Sequence, residues 1–413
     1  MTMLSRLPAV ALLACTCLPV AAAHYVSGTI LPSQPAEERA AQLVDFYRQW
    51  KSVYFKHGCG EGQAYVDVGG DGKPVFGGTE AGTVTVSEAH GYGMLALVMM
   101  ADVDADARAD FDAMVAYAQA HPASSSPDLM AWNQVEGCID AGVDVGGSNA
   151  ATDGDLDIAY ALLLADKVWG SDGAIDYAAK AEATMAAILA YEVDPVSMHL
   201  GIGDWAVHPD ETYYRYTTRT SDFMLSHLRS FATASGEAAW TDVLERTYGL
   251  MAEVQQRFAP QTGLVPDFII DLDGAPRPAP AEFLEGEGDG AYSWNAARYP
   301  WRVALDYLLF GDARAQASVA PLTAFMRHST GDDPTQIADG YALDGTTMPD
   351  PGLNSMAFVA PLGVAAMVDP ANQRWLDSIW ADTVQTPISQ EDYFGNTLKL
   401  LSMIAMNGRW EVP

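Results

Sequence analysis

The chain has 413 residues, with 22 Lys and Arg against 54 Asp and Glu, so its formal net charge is −32. An apolar fraction of 49% supplies a large packed core and argues against global disorder. The charge disfavours nucleic acid as a partner, because a nucleic-acid footprint needs clustered Lys and Arg. It permits a cationic ligand, although a soluble, self-repelling surface is the simpler interpretation.

The first 23 residues have the pattern of a secretory signal. Arg6 precedes an apolar run over residues 7–18, and the small residues Val20-Ala21-Ala22-Ala23 follow it. The run is shorter than the roughly 20 apolar residues that span a bilayer, and no later segment is apolar enough to cross one. We therefore predict cleavage near Ala23, a secreted or periplasmic protein, and no membrane span.

Signal cleavage would leave two cysteines, Cys59 and Cys138. In an oxidising compartment these can pair, but the sequence does not show whether their Cα atoms come close enough. A disulfide and two separate buried thiols are both favoured over a catalytic cysteine. Lipid attachment at Cys15 is a less favoured alternative to cleavage, because Leu13 is large where lipoprotein signals carry a small residue.

Helix-type periodicity recurs along the mature chain. Long Gly-, Pro- and Asp-rich loops at 58–83, 121–150, 193–216 and 259–291 separate the periodic segments, and short strands are predicted at 64–68, 74–76 and 83–86. Twelve helices with long loops on alternate connections predict an all-α, single-domain (α/α)6 barrel over residues 24–413. The predicted helices are 35–54, 87–102, 105–120, 155–169, 173–192, 219–235, 237–258, 294–310, 313–328, 353–368, 371–383 and 391–406.

A first acidic motif runs from Ser87 to Met94. Ser87 is predicted to cap a helix, which places Glu88 in the first turn, where the helix dipole favours a carboxylate. A purely structural N-terminal acid would look the same. Gly91 and Gly93 each cost about 1 kcal/mol in a helix. Two such costs indicate that another part of the chain approaches this backbone closely.

A second acidic motif is Asp153-Gly154-Asp155-Leu156-Asp157. It looks like the start of a calcium loop, but Ile158 and Leu164 stand where an EF-hand requires Gly and Glu, so we predict no metal. Three acids in five residues repel one another, and a folded chain must bury or hydrogen-bond them selectively. Such crowding raises some carboxyl pKa values and suits acid–base chemistry. Carboxylates concentrated near aromatic residues are typical of a sugar-cleaving cleft.

The two motifs resemble the signatures of glycoside hydrolase family 8. Further matching segments follow in family order, so the resemblance covers nearly all of the mature chain. It implies an (α/α)6 barrel and inverting cleavage of β-1,4-linked glucans, xylans or chitosan. The matching segments are 87–94, 151–169, 219–224, 295–302 and 393–402.

The resemblance assigns Glu88 as the general acid. It places Asp153 under the distorted sugar, where it would bind hydroxyl groups or stabilise the oxocarbenium-like state, with Asp155 as the alternative for that role. Inverting hydrolysis of this type needs neither metal nor cofactor, so none is expected.

The general base departs from the common family pattern. Many members carry an Asp where this chain has Asn295, and an amide cannot take a proton from water. The chitosanase-like branch shares that Asn and takes its base from a loop before the same helix. That loop is residues 276–290 here, and Glu285 is the predicted base, followed by Glu287 and then Glu282.

Several residues are predicted to contact the substrate. Trp132 and Tyr216 are candidates for stacking on sugar faces, although capping the core is the commoner use of such rings. Arg298 is placed to hold a catalytic carboxylate by a bidentate pair, or to tie the loop to the barrel. Asp222 and Asn295 belong to the matching segments.

The sequence therefore predicts a secreted, endo-acting inverting glycoside hydrolase that is a monomer and whose partner is a polysaccharide. Chitosan is the first choice of substrate, because Asn295 and the acidic loop match that branch, and β-glucan is the second. The alternatives are an endo-β-1,4-glucanase without chitosanase activity, a catalytically inactive carbohydrate-binding barrel, and a polysaccharide lyase on the same type of barrel.

Overall fold

A computed structural model describes residues 25–73 and 82–413. The signal segment and the strand predicted at 74–76 lie outside the described residues. Within them no helix is both long and apolar enough to cross a membrane.

The described residues form twelve α-helices: α1 Ala36–Tyr54, α2 Ser87–Met99, α3 Ala107–Ala120, α4 Thr152–Trp169, α5 Tyr177–Tyr191, α6 Leu225–Ser235, α7 Ala239–Phe258, α8 Tyr299–Phe310, α9 Ala313–Thr330, α10 Met356–Ala366, α11 Gln373–Gln385 and α12 Tyr393–Met406.

The helices form two concentric rings. The even-numbered helices α2 to α12 each pack against the next, and α12 packs against α2, which closes the inner ring. Outside it α3 packs on α2, α5 on α4, α7 on α6, α9 on α8, α11 on α10 and α1 on α12. Every residue of α10 is buried, whereas α7 and α11 bury one face only, as expected for inner and outer positions. The predicted (α/α)6 barrel is confirmed.

All twelve predicted helices are present, but among the inner helices only α2 begins at the predicted residue; α10 begins three residues late and α12 two residues late. Helix α4 begins at Thr152 rather than at 155, and helix α8 begins at Tyr299 after a short 3-10 turn. Helix α6 begins at Leu225 rather than at 219, because the preceding residues form a short strand and a 3-10 turn. The barrel mouth thus uses tight turns where periodicity alone predicts continuous helix.

The predicted capping role of Ser87 is wrong. Ser87 is the first residue of α2, and the capping position belongs to Val86, which makes no side-chain capping bond. The backbone N–H of Ser87 donates instead to the carbonyl of Trp132 at 2.9 Å. A neighbouring loop therefore satisfies one of the N–H groups that a helix start leaves free.

In the connections that the structure describes there are eight short strands: β1 Phe55–His57, β2 Ala64–Val66, β3 Thr83–Val86, β4 Asn133–Val135, β5 Ile139–Asp140, β6 Thr218–Arg219, β7 Phe268–Ile270 and β8 Arg277–Pro278. The predicted strands at 64–68 and 83–86 correspond to β2 and β3. The antiparallel sheets are β1-β2, β3-β4-β5 and β6-β7-β8. In the last sheet β6, which precedes α6, pairs with β7 in the loop before α8.

Cys59 and Cys138 form a disulfide, with their Cα atoms 5.5 Å apart. This resolves the alternative that the sequence left open in favour of a disulfide. The bond joins the turn between β1 and β2 to the turn between β4 and β5 across 79 residues of sequence. It encloses helices α2 and α3 in a covalent loop.

Glycines allow α2 and α4 to approach closely. A Cβ atom at Gly91 would lie 2.6 Å from Cβ of Asp157, and one at Gly154 would lie 2.6 Å from the carbonyl carbon of Ser87. A Cβ atom at Gly93 would lie 2.6 Å from Val66. The close approach that the paired glycines predict is confirmed, and it brings the first turns of α2 and α4 together.

Substitution of these contact glycines will destabilise the barrel. We expect Gly91→Ala and Gly154→Ala each to lower the free energy of unfolding by about 1–3 kcal/mol, the usual cost of overpacking, measured from urea denaturation midpoints. Gly249→Ala in α7 is the matched control, because nothing lies within 4 Å of its Cβ position; it should stabilise by up to about 1 kcal/mol. Equal effects at the three positions would contradict the close-contact explanation.

Candidate active site

Charged and polar side chains gather at the end of the barrel where the inner helices begin. Positive helix-dipole ends meet there, which favours negative groups. The contributing residues are Glu88 and Asp153 in the first turns of α2 and α4, Arg219 and Asp222 just before α6, Arg298 directly before α8, and Tyr393 at the start of α12.

Arg298 connects the members of this group. Its Nη1 atom donates to Oε2 of Glu88 at 2.7 Å, to Oδ2 of Asp153 at 2.9 Å and to the hydroxyl of Tyr92 at 3.2 Å. Its Nη2 atom donates to Oδ1 of Asn295 at 2.6 Å. The side chain is only 3% exposed. Arg298 therefore binds the carboxylates of Glu88 and Asp153 through a branched rather than a bidentate contact, and it also binds the Asn295 side chain.

A second guanidinium group completes the network. Arg219 lies 2.8 Å from Oδ1 of Asp153, 3.1 Å from Oδ1 of Asp222 and 3.9 Å from Oε1 of Glu285. Burial alone would raise the pKa of Asp153, but Arg219 and Arg298 outweigh it, and the pKa is lowered. Burial raises the pKa of Asp222 to about 6 despite Arg219. Asp153 is thus held as a carboxylate between two cations.

Glu88 is one of the carboxyl groups at this site whose pKa is held near the neutral range. Burial raises its pKa to about 7; Arg298 lowers it, while the charge of Asp153 raises it further. Its Oε1 atom accepts a hydrogen bond from the Tyr393 hydroxyl at 3.2 Å. A carboxyl group with this pKa can release a proton at near-neutral pH, which is the property that a general acid requires.

Glu285 and Arg298 contact different atoms of the Asn295 side-chain amide: Arg298 binds its oxygen and Glu285 binds its nitrogen. The Oε2 atom of Glu285 accepts a hydrogen bond from Nδ2 of Asn295 at 2.8 Å, and the Glu285 side chain is 29% exposed. Burial raises the pKa of Glu285, while Arg219 and the Asn295 amide act to lower it. Arg298 and Asn295 stand between Glu88 and Glu285, so the two carboxyl groups are bridged rather than in contact.

Asp267 supports the Asn295 segment from beneath. Its carboxylate accepts backbone N–H bonds from Ser293 at 3.0 Å, Asn295 at 3.2 Å and Ala296 at 2.7 Å. Burial raises its pKa to about 7 even though these bonds act to lower it. These contacts fix the start of the short turn that leads into α8, and with it the orientation of the Asn295 amide.

The three aspartates of the second motif have different environments. Asp157 pairs with Nη1 of Arg302 at 2.8 Å and with Nε2 of His227 at 3.0 Å, below the site. Asp155 accepts a bond from the Met130 N–H at 3.0 Å and is 1% exposed. All three aspartates are buried, so they are distinguished by their hydrogen-bond partners rather than by selective burial; the pKa of Asp155 is raised and those of Asp153 and Asp157 are lowered. Among the described residues, no group of three or more His, Cys, Asp or Glu is placed to hold a metal ion.

The other two glutamates of the 276–290 loop lie apart from the network. Glu282 and Glu287 are exposed to solvent, and Glu282 has a positive φ of 56°. Of the three glutamates that the sequence proposed, Glu285 is the one that contacts Asn295 and approaches Arg219.

The two aromatic candidates occupy different settings. Trp132 is partly buried, and its indole N–H donates to the Gly146 carbonyl at 2.9 Å. Its backbone carbonyl accepts the N–H of Ser87, so it stands beside the start of α2. Tyr216 packs near His199, with ring centroids 6.2 Å apart, and beneath the Arg215 guanidinium.

Sequence reasoning missed three contributors to the site. Arg219 and Tyr393 lie within segments that resemble the family, so their place in those segments was the available signal. Asp267 has no such signal in the sequence, because it is a single acid in a loop and its hydrogen-bond partners are backbone N–H groups. Its role becomes visible only once β7 brings it beneath Asn295.

A buried carboxyl pair lies behind the site. Asp155 and Glu192 lie within hydrogen-bonding reach, and both are almost completely buried. Oδ2 of Asp155 and both carboxyl oxygens of Glu192 have no other partner among the described residues. Burial raises both pKa values well above the usual range, and the charge of Asp204 raises both further. Asp155 also raises the pKa of Glu192, whereas the hydrogen bond with Glu192 acts to lower that of Asp155. The pair is stable only when it retains a proton.

This pair should make folding stability fall with rising pH. A carboxyl whose pKa is raised on folding contributes stability at low pH that is lost as pH rises through the folded pKa. We expect Glu192→Gln to raise the free energy of unfolding at pH 8 by about 1–3 kcal/mol, the cost of a buried unsatisfied polar group, and to reduce the Tm difference between pH 5.5 and pH 8. Glu182→Gln, on the exposed face of α5, is the control. An unchanged Tm difference in Glu192→Gln would contradict the shared-proton pair.

Known proteins resemble this chain over most of its length. The family model described as Glycosyl hydrolases family 8 matches residues 38–408. A β-glucanase of Niallia circulans is 41% identical over 94% of this chain and 89% of its own length, and an endoglucanase of Bacillus sp. (strain KSM-330) is 34% identical over 94% and 80%. The apo structure of a β-1,3-1,4-glucanase from Paenibacillus sp. X4 superposes with a TM-score of 0.87 at 39% identity, covering 94% of this chain and 97% of that one.

A barrel of this type with carboxyl groups gathered at its mouth, together with these relatives, defines a glycoside hydrolase. The family match extends over most of the chain and the first relatives align over nearly their full length. The chain belongs to glycosyl hydrolases family 8.

Proposed function

We propose that the protein is an inverting endo-β-glucanase in which Glu88 is the general acid and Glu285 the general base. The carrying observation is the bridge from Glu88 through Arg298 and Asn295 to Glu285. An inverting enzyme needs its two carboxyl groups roughly 6.5–9.5 Å apart, with room for a water between the base and the sugar. A bridge of two side chains keeps the carboxyl groups separate while fixing both.

The proposed reaction follows from the protonation of each group. Protonated Glu88 donates to the glycosidic oxygen, and ionised Glu285 takes a proton from a water that attacks the opposite face of the sugar ring. Asp153 stays negative between Arg219 and Arg298, where it stabilises the oxocarbenium-like state or binds sugar hydroxyls. Asp222 is fully buried, so we assign it the orientation of Arg219 rather than contact with the sugar.

The names of the relatives support β-glucan as the substrate class. The β-glucanase of Niallia circulans and the β-1,3-1,4-glucanase of Paenibacillus sp. X4 are both close to 40% identical to this chain and align over its whole barrel. On this basis β-glucan takes precedence over chitosan, which the sequence analysis placed first.

Single substitutions test the assignment of acid and base. Glu88→Gln and Glu285→Gln should each lower kcat by about 10²–10⁴-fold, the usual effect of losing a general acid or base, with an unchanged circular dichroism spectrum. Glu282→Gln and Glu287→Gln, in the same loop as Glu285, should cause only small losses. Reducing-end release on barley β-glucan measures the rates. Proton NMR of fresh products should show the α-anomer. Near-normal activity of Glu285→Gln, or a β-anomer product, would overturn the proposal.

Chitosan remains a second candidate because of an acidic depression beside the site. An open cavity of about 480 Å³ is lined by three acids, two hydroxyl groups, one amide, one indole and one imidazole, with no Lys or Arg among them: Ser124, Ser125, Asn149, Asp204, Trp205, His208, Asp210 and Glu211. Asp204 accepts the N–H of Ala150 at 3.0 Å, three residues before Asp153, which places the cavity next to the site. Its charge suits a cationic amino sugar.

A substrate panel separates the two candidates. The protein should release reducing ends from barley β-glucan at all salt concentrations, because a neutral substrate gains nothing from surface charge. Activity on chitosan, if it is present, should fall between 50 and 500 mM NaCl and fall further in Asp210→Asn, since charge attraction is screened by salt. Activity on chitosan alone would reverse the order of the two candidates. Carboxymethylcellulose completes the panel.

We also propose that residues 1–23 are a cleaved signal and that residues 24–413 form one exported, monomeric catalytic domain. The disulfide between Cys59 and Cys138 supports export, because such bonds persist in oxidising compartments.

A further inference from the structure

The tip of the loop that carries Glu285 is wrapped around one buried carboxylate. Oδ2 of Asp289 accepts the backbone N–H groups of Leu284 at 2.7 Å and Glu285 at 3.1 Å, and Oδ1 accepts that of Gly286 at 3.0 Å. Asp289 is 2% exposed. Three consecutive N–H groups directed at one carboxylate form an anion-binding turn, and such charge-assisted bonds are stronger than neutral ones.

Asp289 is itself attached to the sheet at the barrel mouth. Its backbone carbonyl accepts the N–H of Phe268 in β7 at 2.9 Å, and the Asp267 N–H donates to the carbonyl of Ala291 at 2.8 Å. Asp267 in turn holds the Asn295 backbone. Asp289, which binds the backbone of Glu285, and Asn295, whose amide binds its carboxyl group, are therefore both held by residues 267 and 268 at the start of β7.

Hydrophobic packing closes the same loop from outside. Phe283 is 7% exposed and packs with Phe268, Ile270 and Ala279, beside Trp205 and Tyr214. This cluster holds the loop against the barrel but leaves the direction of the next residues free. The carboxylate of Asp289 binds the three N–H groups of residues 284–286, and the Glu282 N–H closes the same turn by donating to the Gly286 carbonyl at 2.8 Å. The Glu285 side chain extends from this turn.

We propose that Asp289 is a positioning residue that sets the place and the charge environment of the Glu285 carboxyl group. The inference rests on the proposed function, in which Glu285 is the base. Displacing a reacting group by about 1 Å can cost 10²-fold in rate, so a fixed turn behind the base has a direct kinetic consequence.

The charges that face Glu285 come from several elements. Arg219 beside α6 and Arg298 before α8 favour its ionised form, as does the Asn295 amide, while Asp289 from its own loop opposes ionisation. Asp267 beneath β7 is the remaining acid that interacts with it. Removing the Asp289 charge should lower the pKa of Glu285, because a nearby negative charge disfavours a second one.

The test is the pH profile of kcat/KM on barley β-glucan for the native protein, Asp289→Asn and Asp289→Glu. We expect Asp289→Asn to lower kcat by about 10–100-fold, with little change in KM, and to move the acid limb to lower pH, since that limb marks ionisation of the base. The alkaline limb, set by Glu88, should stay near pH 7. Asp289→Glu keeps the charge and adds a methylene, so kcat should fall while the acid limb stays in place.

Asp273→Asn, an exposed acid in the turn between β7 and β8, is the matched control and should match the native protein in rate and in both limbs. An unchanged kcat in Asp289→Asn would overturn the inference. So would a lower kcat with an unmoved acid limb and a lower Tm, because that pattern indicates general loosening of the loop. Full activity of Glu285→Gln would instead overturn the proposed function and leave the structural role of Asp289 standing. If Asp289→Asn does not fold, Asp289→Glu with native kcat would overturn the inference by itself.

Discussion

The buried guanidinium of Arg298 holds together side chains from opposite sides of the barrel. Burying an unpaired cation costs several kcal/mol. This cost is offset by the carboxylates of Glu88 from α2 and Asp153 from α4 and by the side-chain amide oxygen of Asn295. One helical turn below, Arg302 repeats the arrangement with Asp157. The same faces of α4 and α8 are thus joined twice, and the network that positions the acid is also a determinant of how the inner helices meet.

Most of the fold could be predicted from the sequence because helical periodicity is a local property. The twelve helices follow from apolar spacing, and the paired glycines of α2 correctly indicate a close neighbour. Helix starts at the barrel mouth could not be placed in this way. The segment before α6 is held by pairing of β6 with β7, 50 residues further on, and Ser87 is satisfied by a loop carbonyl rather than by its own side chain. Both depend on contacts distant in sequence.

The residues of the candidate site that belong to recognisable sequence motifs could be predicted, and those outside such motifs could not. Glu88, Asp153 and Arg298 lie in recognisable segments and meet in the structure. Asp155 lies only two residues from Asp153, yet it faces Glu192 and Met130, because neighbouring residues on a helix point in different directions. Asp267 and Asp289 act through backbone N–H groups, which leave no residue-type signature in the chain. The roles of these residues in the reaction remain predictions.

The disulfide has a topological consequence for the acid-bearing helix. Because Cys59 and Cys138 close a ring that contains α2 and α3, a single proteolytic cut in the connection between those helices would leave both fragments covalently tethered. Chain-entropy reasoning assigns a ring of this size about 4 kcal/mol of stabilisation through restriction of the unfolded ensemble. Protein produced under reducing conditions would lack both the tether and this restriction, although every side chain of the network around Arg298 would be chemically intact.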